Sequence, residues 1–279
     1  MSKNTNSYDY DAVIAEAYDL YETQTDDVAL IRRLLAGLPA VAGRGRLRIL
    51  EPFCGTGRIL IPLAQDGHEM AGLDQSAHML ARARGKIEAL GAEVIRQISL
   101  IHADATTDPW PGGFDLVLLG GNCFYELASP QEQEGCIASA AAALKSGAFV
   151  YVDNDHMETP LPESWTSPGE RKTKWPSGGL ADGTFFEGYT ENLDCDVRNR
   201  IWRARRTIVI HRPDGQEGRF TQIQQKHPVS SGEVEGWLTR HGFAIEQTFG
   251  DRSGNPYTSD SPRAIFWARL AKEGRHEAF

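Results

Sequence analysis

The sequence of residues 49–58, ILEPFCGTGR, joins the end of an apolar run to a tight glycine turn. The run ends at the acidic Glu51, and Ile59, Leu60 and Leu63 follow the turn at helical spacing. This order predicts a strand, a glycine turn and a helix, which is the first unit of a nucleotide-binding α/β sheet. Glycine lets the backbone approach a ligand closely, and the first turn of the helix offers its N–H groups to that ligand.

Further strands that end in acidic residues follow the glycine turn. Residues 70–74 read as a strand that ends at Asp74, about 20 residues beyond the turn, where a carboxylate can accept both hydroxyls of a ribose. Asp104 and the apolar residues 114–119 continue the series, and a fifth strand ends at Asp153. Five strands that alternate with helices predict a mostly parallel, doubly wound sheet.

The series of Glu51, Gly55, Gly57, Asp74 and Asp104 resembles the class I S-adenosylmethionine-dependent methyltransferases, whose first motif reads acidic-x-Gly-x-Gly-x-Gly. The resemblance covers residues 13–153 and is weaker towards the C-terminus. It departs from the family at Phe53, where the family often has its first glycine. The resemblance implies a Rossmann-like, seven-stranded, mostly parallel sheet with an antiparallel hairpin at its edge, and S-adenosyl-L-methionine as the cofactor.

The chain is predicted to have three parts. Residues 1–45 form an N-terminal helical flap, and residues 46–157 and 228–279 form the Rossmann-like domain. Residues 158–227 form an inserted antiparallel lid that holds substrate. Within the lid, a loop is expected at residues 158–180 and three strands at residues 184–193, 200–211 and 219–227.

The cofactor candidates gather at the carboxyl ends of the strands, because open α/β sheets bind ligands there, near the switch in strand order. They are Tyr21, Glu51, Cys54, Gly55, Gly57, Arg58, Asp74, Gln75, Asp104, Ala105 and Gly120. Asp74 is assigned to the ribose, with a helix cap as the less favoured alternative. The resemblance implies that Asp104 accepts the adenine amino group, and a turn-forming Asp is the alternative. Glu51 either meets the methionine ammonium through water or ties the glycine loop in place. Tyr21 lies in the flap, where packing onto the core is an equal alternative.

Polar residues after the fourth and fifth strands are the candidates for chemistry. His156 first and Asp155 second are interpreted as general bases, because a substrate O–H or N–H must lose its proton around the time of transfer. A base is not required, since methyl transfer also works by alignment. Tyr125 is a third catalytic candidate and Asn122 a substrate ligand, each with a structural hydrogen bond in the loop as the alternative.

The flap and the lid supply three further substrate candidates. Tyr18 is expected over the methionine end of the cofactor, or packed on the core. Trp202 lines an aromatic pocket or belongs to the core of the lid. Arg203 either clamps an anionic group or, as its alternation along the strand favours, lies on a solvated face opposite acidic residues.

Composition limits the partners. The net charge of −9 disfavours nonspecific binding to nucleic acid or to an anionic membrane. The four cysteines are scattered without a Cys-x-x-Cys pair, which is typical of reduced thiols in a cytoplasmic protein without a metal site. The sequence has neither a signal pattern nor an apolar run that could span a membrane. A homodimer is left open.

These features together predict an S-adenosylmethionine-dependent methyltransferase that acts on an N or O atom of a small molecule. One alternative is an NAD-dependent oxidoreductase on a related fold, against which the incomplete G-x-G-x-x-G turn argues. The other is a non-catalytic S-adenosylmethionine-binding protein, which would have no room for a substrate beside the methyl group. The acceptor and its reacting atom, the use of a base and the oligomeric state stay open.

Overall fold

A computed structural model describes residues 11–38, 45–155, 158, 161, 163–167 and 169–272. Its helices are α1 (Ala12–Tyr21), α2 (Asp26–Ala36), α3 (Leu60–Gln65), α4 (Ala77–Glu88), α5 (Ala92–Ile95), α6 (Pro130–Ala143), α7 (Glu163–Thr166) and α8 (Ser231–Arg240). Its strands are β1 (Arg48–Pro52), β2 (Glu69–Asp74), β3 (Ile98–His102), β4 (Phe114–Leu119), β5 (Leu144–Asp155), β6 (Gly169–Gly179), β7 (Phe185–Asp196), β8 (Ile201–His211), β9 (Glu217–Lys226), β10 (Phe243–Phe249) and β11 (Arg263–Leu270). A 3₁₀ turn, Cys123–Glu126, follows β4.

The main sheet has seven strands in the order β10-β11-β5-β4-β1-β2-β3. Strands β1 to β5 pair in parallel, and β11 runs antiparallel to both of its neighbours. The predicted fold class, including the antiparallel hairpin at the edge, is confirmed. Strand order reverses between β1 and β4, so the crevice that such sheets use for ligands opens there.

The central strands are apolar without alternation because helices cover both faces of the sheet. In β4, the side chains of residues 116–119 are fully buried. On one face they pack with Ile137 of α6 and Leu238 of α8, and on the other with Ile31 of α2 and Leu63 of α3. The sheet is therefore a rigid platform for whatever extends beyond its strand ends.

A second sheet consists of four antiparallel strands in the order β6-β7-β8-β9. The three expected strands of the lid correspond to β7, β8 and β9, but the expected loop at residues 158–180 is wrong over residues 169–179, which form β6. Pairing between β6 and β7 shifts register between Thr173 and Ser177. The sequence of residues 176–179, Pro-Ser-Gly-Gly, predicts a loop by propensity. The strand forms nevertheless, because an edge strand tolerates residues that would break a central strand.

Strand β9 attaches the lid to the segment that follows β4. The side chain of Gln225 donates to the carbonyl of Ala128 at 2.9 Å, and the backbone N–H of His227 donates to the carbonyl of Leu127 at 3.1 Å. The buried side chain of Gln133 donates to the carbonyl of His227 at 3.1 Å. This end of the lid is thus fixed relative to the main sheet. Among the described residues, no helix combines the length and apolar character needed to cross a bilayer.

Candidate active site

The glycine turn after β1 is built on left-handed backbone. Phe53, Gly55 and Gly57 have φ angles of 63°, 54° and 81°. Phe53, the position where the sequence departs from the methyltransferase pattern, therefore adopts a conformation that favours glycine, at a cost of about 1–3 kcal/mol. Gly72 of β2 lies directly beneath the turn, where an added Cβ would lie 2.5 Å from Cδ1 of Leu60. Only glycine lets strand, turn and helix approach this closely.

A cavity of about 550 Å³ opens at the carboxyl ends of β1, β2 and β4, beneath the second sheet. Many of the predicted residues line it, namely Tyr18, Glu51, Cys54, Gly55, Arg58, Asp74, Gln75, Asp104, Ala105 and Gly120. The strand-end rule therefore brought these residues together correctly. Gly57 shapes the turn without lining the cavity.

Asp74 is held at the end of β2 by two backbone donors. Its Oδ2 accepts from the N–H of Gly55 and its Oδ1 from the N–H of Ser76, both at 2.8 Å. The first bond joins the carboxylate to the glycine turn 19 residues earlier in the chain. The second begins α4, where the hydroxyl of Ser76 accepts from the N–H of Met79. Asp74 is thus both a structural link and a part of the cavity wall.

Asp104 also combines two roles. Its Oδ1 accepts from the N–H and the hydroxyl of Thr106, at 2.9 and 2.6 Å, which closes a tight turn after β3. Ala105 is buried beside it and Asp104, Ala105 and Thr106 all line the cavity. The turn-forming alternative and a ligand-facing position are therefore compatible.

Arg58 lines the cavity, but its charge is already paired. Its guanidinium donates to both carboxylate oxygens of Asp27, at 2.8 and 2.5 Å, and to the carbonyl of Gln24 at 2.7 Å. Burial opposes the charge, yet the hydrogen bonds and charge of Asp27 hold the pKa of Arg58 above its usual value. Arg58 also hydrogen-bonds Tyr18. It therefore anchors α1 and α2 over the glycine turn.

Glu51 is a buried carboxyl at the end of β1. Burial raises the pKa of Glu51 to about 8, against the attraction of the Arg58 charge. The backbone N–H of Leu60 reaches the carboxyl, but Oε2 has no hydrogen-bond partner among the described residues. A buried polar atom without a partner is unusual and calls for a ligand or another explanation.

The structure places Asp155 and Asn122 in a hydrogen-bond network with Arg263, and their catalytic and substrate roles stay predictions. Arg263 donates to Asp155 at 2.6 Å and also contacts Asn122, and the amide of Asn122 donates to Asp155 at 2.9 Å. This network ties β11 to the ends of β4 and β5, and none of its members lines the cavity. His156, the first candidate for a base, lies outside the described residues.

Tyr125 and Trp202 belong to the aromatic core of the lid rather than to the cavity wall. Tyr125 packs edge-on against Trp165, which packs against Trp202 with ring centroids 4.8 Å apart. The Trp202 indole donates to Asn192 at 3.1 Å. Burial raises the pKa of Tyr125 to about 12, so its phenol is a poor base. Trp202 therefore lies in a buried cluster, as its core alternative predicts, and the catalytic role of Tyr125 stays a prediction.

Two other candidates also lie outside the cavity wall. Arg203 is exposed and pairs with Asp194 at 3.0 Å, as the solvated-face alternative predicts. Tyr21 packs edge-on against Phe186 of the lid, with ring centroids 5.9 Å apart. Both side chains contact residues of the second sheet, and their roles as ligand residues stay predictions.

The sequence reasoning missed Glu126, Gln222 and Gln224, which line the cavity from the lid side. The carboxylate of Glu126 accepts from Lys226 Nζ at 2.9 Å and from Gln224 Nε2 at 2.8 Å. Lys226 is buried, with 4% of its side chain exposed, and its Nζ lies 4.0 Å from the centre of the Tyr125 ring. Burial opposes ionisation of Glu126, but the charge of Lys226 prevails and lowers the pKa of that carboxyl. The alternation of Gln222, Gln224 and Lys226 along β9 was the available signal.

The cavity is strongly acidic. Its carboxyl side chains are Glu51, Asp74, Asp104, Asp108, Glu126 and Glu132. Among the described residues that line the cavity, Arg58 is cationic, and its guanidinium is already paired with Asp27. His102 carries a positive charge only when it is protonated. This balance favours a ligand that carries positive charge.

The comparisons with known proteins agree with this geometry. Residues 49–147 match the family model described as a methyltransferase domain. The chain therefore contains a methyltransferase domain over these residues. The resemblance stated from the glycine turn and the acidic strand ends is confirmed.

Relatives and solved structures extend the match beyond that domain. A putative methyltransferase from Geobacillus sp. (strain WCH70), GWCH70_2453, is 21% identical over 96% of this chain and 100% of its own length. A methyltransferase structure from Clostridium acetobutylicum has a TM-score of 0.70 at 15% identity, covering 92% of this chain and 97% of that one. The sugar N-methyltransferase KedS8 from Streptoalloteichus sp. has a TM-score of 0.68 at 16% identity, covering 98% and 97%. These structural likenesses show a shared fold.

A different kind of relative matches only in part. The 23S rRNA (uracil(1939)-C(5))-methyltransferase RlmD of Shewanella halifaxensis is 36% identical over 76 residues, which are 26% of this chain and 16% of that enzyme.

Proposed function

We propose that this methyltransferase moves a methyl group from S-adenosylmethionine to the nitrogen of a small, polar amine of the amino-sugar class. The observation that carries the proposal is the continuous acidic cavity, which joins the glycine turn and Asp74 to Glu126, Gln222 and Gln224 of the lid side. The sugar N-methyltransferase that shares the fold over nearly the whole chain supports this choice of acceptor.

The donor would occupy the part of the cavity nearest the main sheet. Asp74 would accept the ribose hydroxyls, and Asp104 and Ala105 would hold the adenine. Glu51, Arg58 and the glycine turn would surround the methionine end. When bound, the donor supplies an electrophilic methyl group on a positively charged sulfur, and an acidic wall suits that charge.

The acceptor would occupy the part of the cavity nearest the lid. Glu126 is held by Lys226 and Gln224, so its carboxylate is fixed before a ligand arrives. Because the pKa of Glu126 is lowered, it would serve as an acceptor of an amine N–H rather than as a base. In the neutral amine, one N–H directed at Glu126 leaves the nitrogen lone pair free to face the methyl group. Transfer would form the C–N bond as the S–C bond breaks, and the resulting ammonium would lose its proton to solvent. The amide groups of Gln222 and Gln224 suit neighbouring hydroxyls.

The shape of the site favours catalysis over binding alone. The cavity continues from Asp104 on the main sheet to Gln224 on the lid, which gives a second ligand its own polar wall. Trp165 and Trp202 belong to a buried cluster of the lid and do not line the cavity. We also propose residues 1–45 as the flap, residues 158–227 as the lid, and the rest of the chain as the methyltransferase domain.

The test is a methyl-transfer assay with glucosamine, galactosamine and mannosamine, each paired with the sugar that lacks the amine. S-adenosylhomocysteine formation and the mass of the product are measured for wild type, Glu126→Gln and the control Glu191→Gln. Glu191 pairs with Arg205 at the lid surface, so the control removes an equivalent charge outside the cavity.

Turnover of an amino sugar but not of its partner sugar is the expected result. Loss of the charged hydrogen bond in Glu126→Gln should raise the KM for the amine about tenfold or more, with S-adenosylmethionine binding unchanged. Methylation of the hydroxyl sugars alone, of RNA alone, or of none of these acceptors would overturn the proposed substrate class.

A further inference from the structure

Glu51 stands apart from the other carboxyls of the cavity because it is buried and incompletely satisfied. It is 5% exposed and lines the cavity, and its Oε2 has no hydrogen-bond partner among the described residues. The other carboxylate oxygens described above have donors: Asp74 has Gly55 and Ser76, and Glu126 has Lys226 and Gln224.

Arg58 cannot serve as the full counter-ion of Glu51. Its guanidinium is bonded to both oxygens of Asp27, a carboxylate that is itself fully buried. Asp27 and Asp74 are further negative groups near Glu51, and both raise its pKa. The titratable and charged groups that face Glu51 are Tyr18 from α1, Asp27 from α2, Cys54 and Arg58 from the turn, Asp74 from β2 and Cys123 after β4.

The ligand-free site therefore places a carboxyl group among carboxylates, and the nearest cation, Arg58, is already committed to Asp27. Under those conditions the neutral acid is the stable form. A ligand that carries a sulfonium and an ammonium group reverses this balance, since an opposite charge nearby favours the ionised form.

We propose that Glu51 is protonated in the ligand-free site and releases its proton when S-adenosylmethionine binds, so that its charge discriminates the sulfonium donor from the neutral thioether product. This inference rests on the proposed function and adds proton linkage to it. The step conserves charge: the carboxylic acid loses a proton to solvent, and the carboxylate that remains faces the positive donor. After transfer the sulfur is neutral, and uptake of a proton by Glu51 favours release of S-adenosylhomocysteine.

The direction of the pH dependence follows from the linkage. With a pKa of about 8 in the ligand-free site, Glu51 binds a proton at about pH 6.5 in nearly every molecule, so donor binding releases about one proton there. The affinity for S-adenosylmethionine then rises up to about tenfold per pH unit below about pH 8. The affinity for S-adenosylhomocysteine rises less steeply, so the ratio of the two affinities increases with pH.

The experiment is isothermal titration calorimetry at about pH 6.5 in two buffers of different ionisation enthalpy, with S-adenosylmethionine and with S-adenosylhomocysteine. At this pH the α-amino group of either ligand is largely protonated, since such groups titrate near pH 7.7–8.0. Wild type should release about one proton with the donor and less with the product. Glu51→Gln, a change of nearly equal size, should release none.

A second readout needs no ligand. A carboxyl whose pKa is raised by folding stabilises the protein below its unfolded pKa, and this stabilisation is lost as pH rises towards about 8. The melting temperature of the ligand-free wild type should therefore fall between about pH 5 and pH 8 relative to that of Glu51→Gln. As a control, the melting temperatures of wild type and Asp66→Asn are compared over the same pH range, because the carboxylate of Asp66 is exposed.

The outcomes separate the inference from the proposed function. Donor binding by wild type without proton release at about pH 6.5 would overturn the inference and leave the methyltransferase function standing. Proton release that persists unchanged in Glu51→Gln would also overturn it. Failure of folded wild type to bind either ligand would instead refute the proposed cofactor.

Discussion

Replacing Asp27 by asparagine tests how α2 is held beside the cavity. The Asp27 side chain is 0% exposed, and it binds the Arg58 guanidinium at 2.8 and 2.5 Å and lies 3.8 Å from Arg252. The neutral amide would leave the Arg58 guanidinium without its carboxylate partner, whereas Arg252 keeps Asp153 at 2.8 Å. Removing one partner of a buried pair costs about 3–5 kcal/mol.

Thermal and urea unfolding measure the free energy of unfolding that Asp27→Asn loses. At about 2–4 °C per kcal/mol for a chain of this size, Asp27→Asn should lower the melting temperature by at least about 6 °C at about pH 7. Burial opposes ionisation of Asp27, but Arg58 and Arg252 outweigh it and hold the pKa of Asp27 below its ordinary value. The stabilisation is therefore present above the unfolded pKa and lost as pH falls, so the difference from wild type should shrink towards about pH 3.

The matched control is Asp66→Asn. Asp66 accepts from Arg32 at 2.6 and 3.0 Å, but these side chains are 33% and 49% exposed, so their pair is worth about 0–1 kcal/mol. Equal losses in the two variants, or a loss in Asp27→Asn that does not change with pH, would refute the claim that burial makes the Arg58–Asp27 pair decisive.

Two further substitutions test the wall of the cavity and the surface of the lid. In Gly120→Ala the added Cβ would lie 2.9 Å from Cδ1 of Ile59. We expect this overpacking to cost about 1–3 kcal/mol. Calorimetry would detect the cost as weaker binding of S-adenosylmethionine or as a lower melting temperature. Unchanged binding and an unchanged melting temperature would mean that the cavity wall accommodates the added methyl group without cost. Arg203→Ala removes an exposed pair with Asp194, so stability should change by less than about 1 kcal/mol and kcat/KM for an amino sugar should not change. A large loss of activity would return Arg203 to the substrate site.

The side of the cavity nearest the main sheet could be predicted because its signals are local. Strand, glycine turn and helix follow one another within residues 48–65, and Asp74 comes at the end of the next strand. The parallel arrangement then places consecutive strand ends at one edge. Most of the residues predicted there line the cavity for this reason.

The side of the cavity nearest the second sheet could not be predicted in the same way because its contacts join distant parts of the chain. Glu126 meets Gln224 and Lys226, 98 and 100 residues later. Similarly, Asp155 looked available for catalysis until the fold brought Arg263 to it from 108 residues further along. The alternation along β9 separates its two faces but does not show which of them turns inward, and no local pattern shows which carboxylate an arginine will bind.

The lid also shows how edge strands escape detection. Strand β6 contains Pro176, Gly178 and Gly179 and pairs on one side with β7. Such residues predict a loop by propensity, whereas the hydrogen bonds of the neighbouring strand hold them extended.

The central claim is that the cavity beside the glycine turn binds S-adenosylmethionine with Asp74 on its ribose. The most direct test is calorimetric titration of S-adenosylmethionine into wild type and Asp74→Ala, with melting curves to show that both are folded. The account predicts that wild type binds the donor and that Asp74→Ala, still folded, binds it at least about tenfold more weakly, as expected for loss of hydrogen bonds to a charged group. Folded wild type that fails to bind the donor, or Asp74→Ala with undiminished affinity, would contradict it.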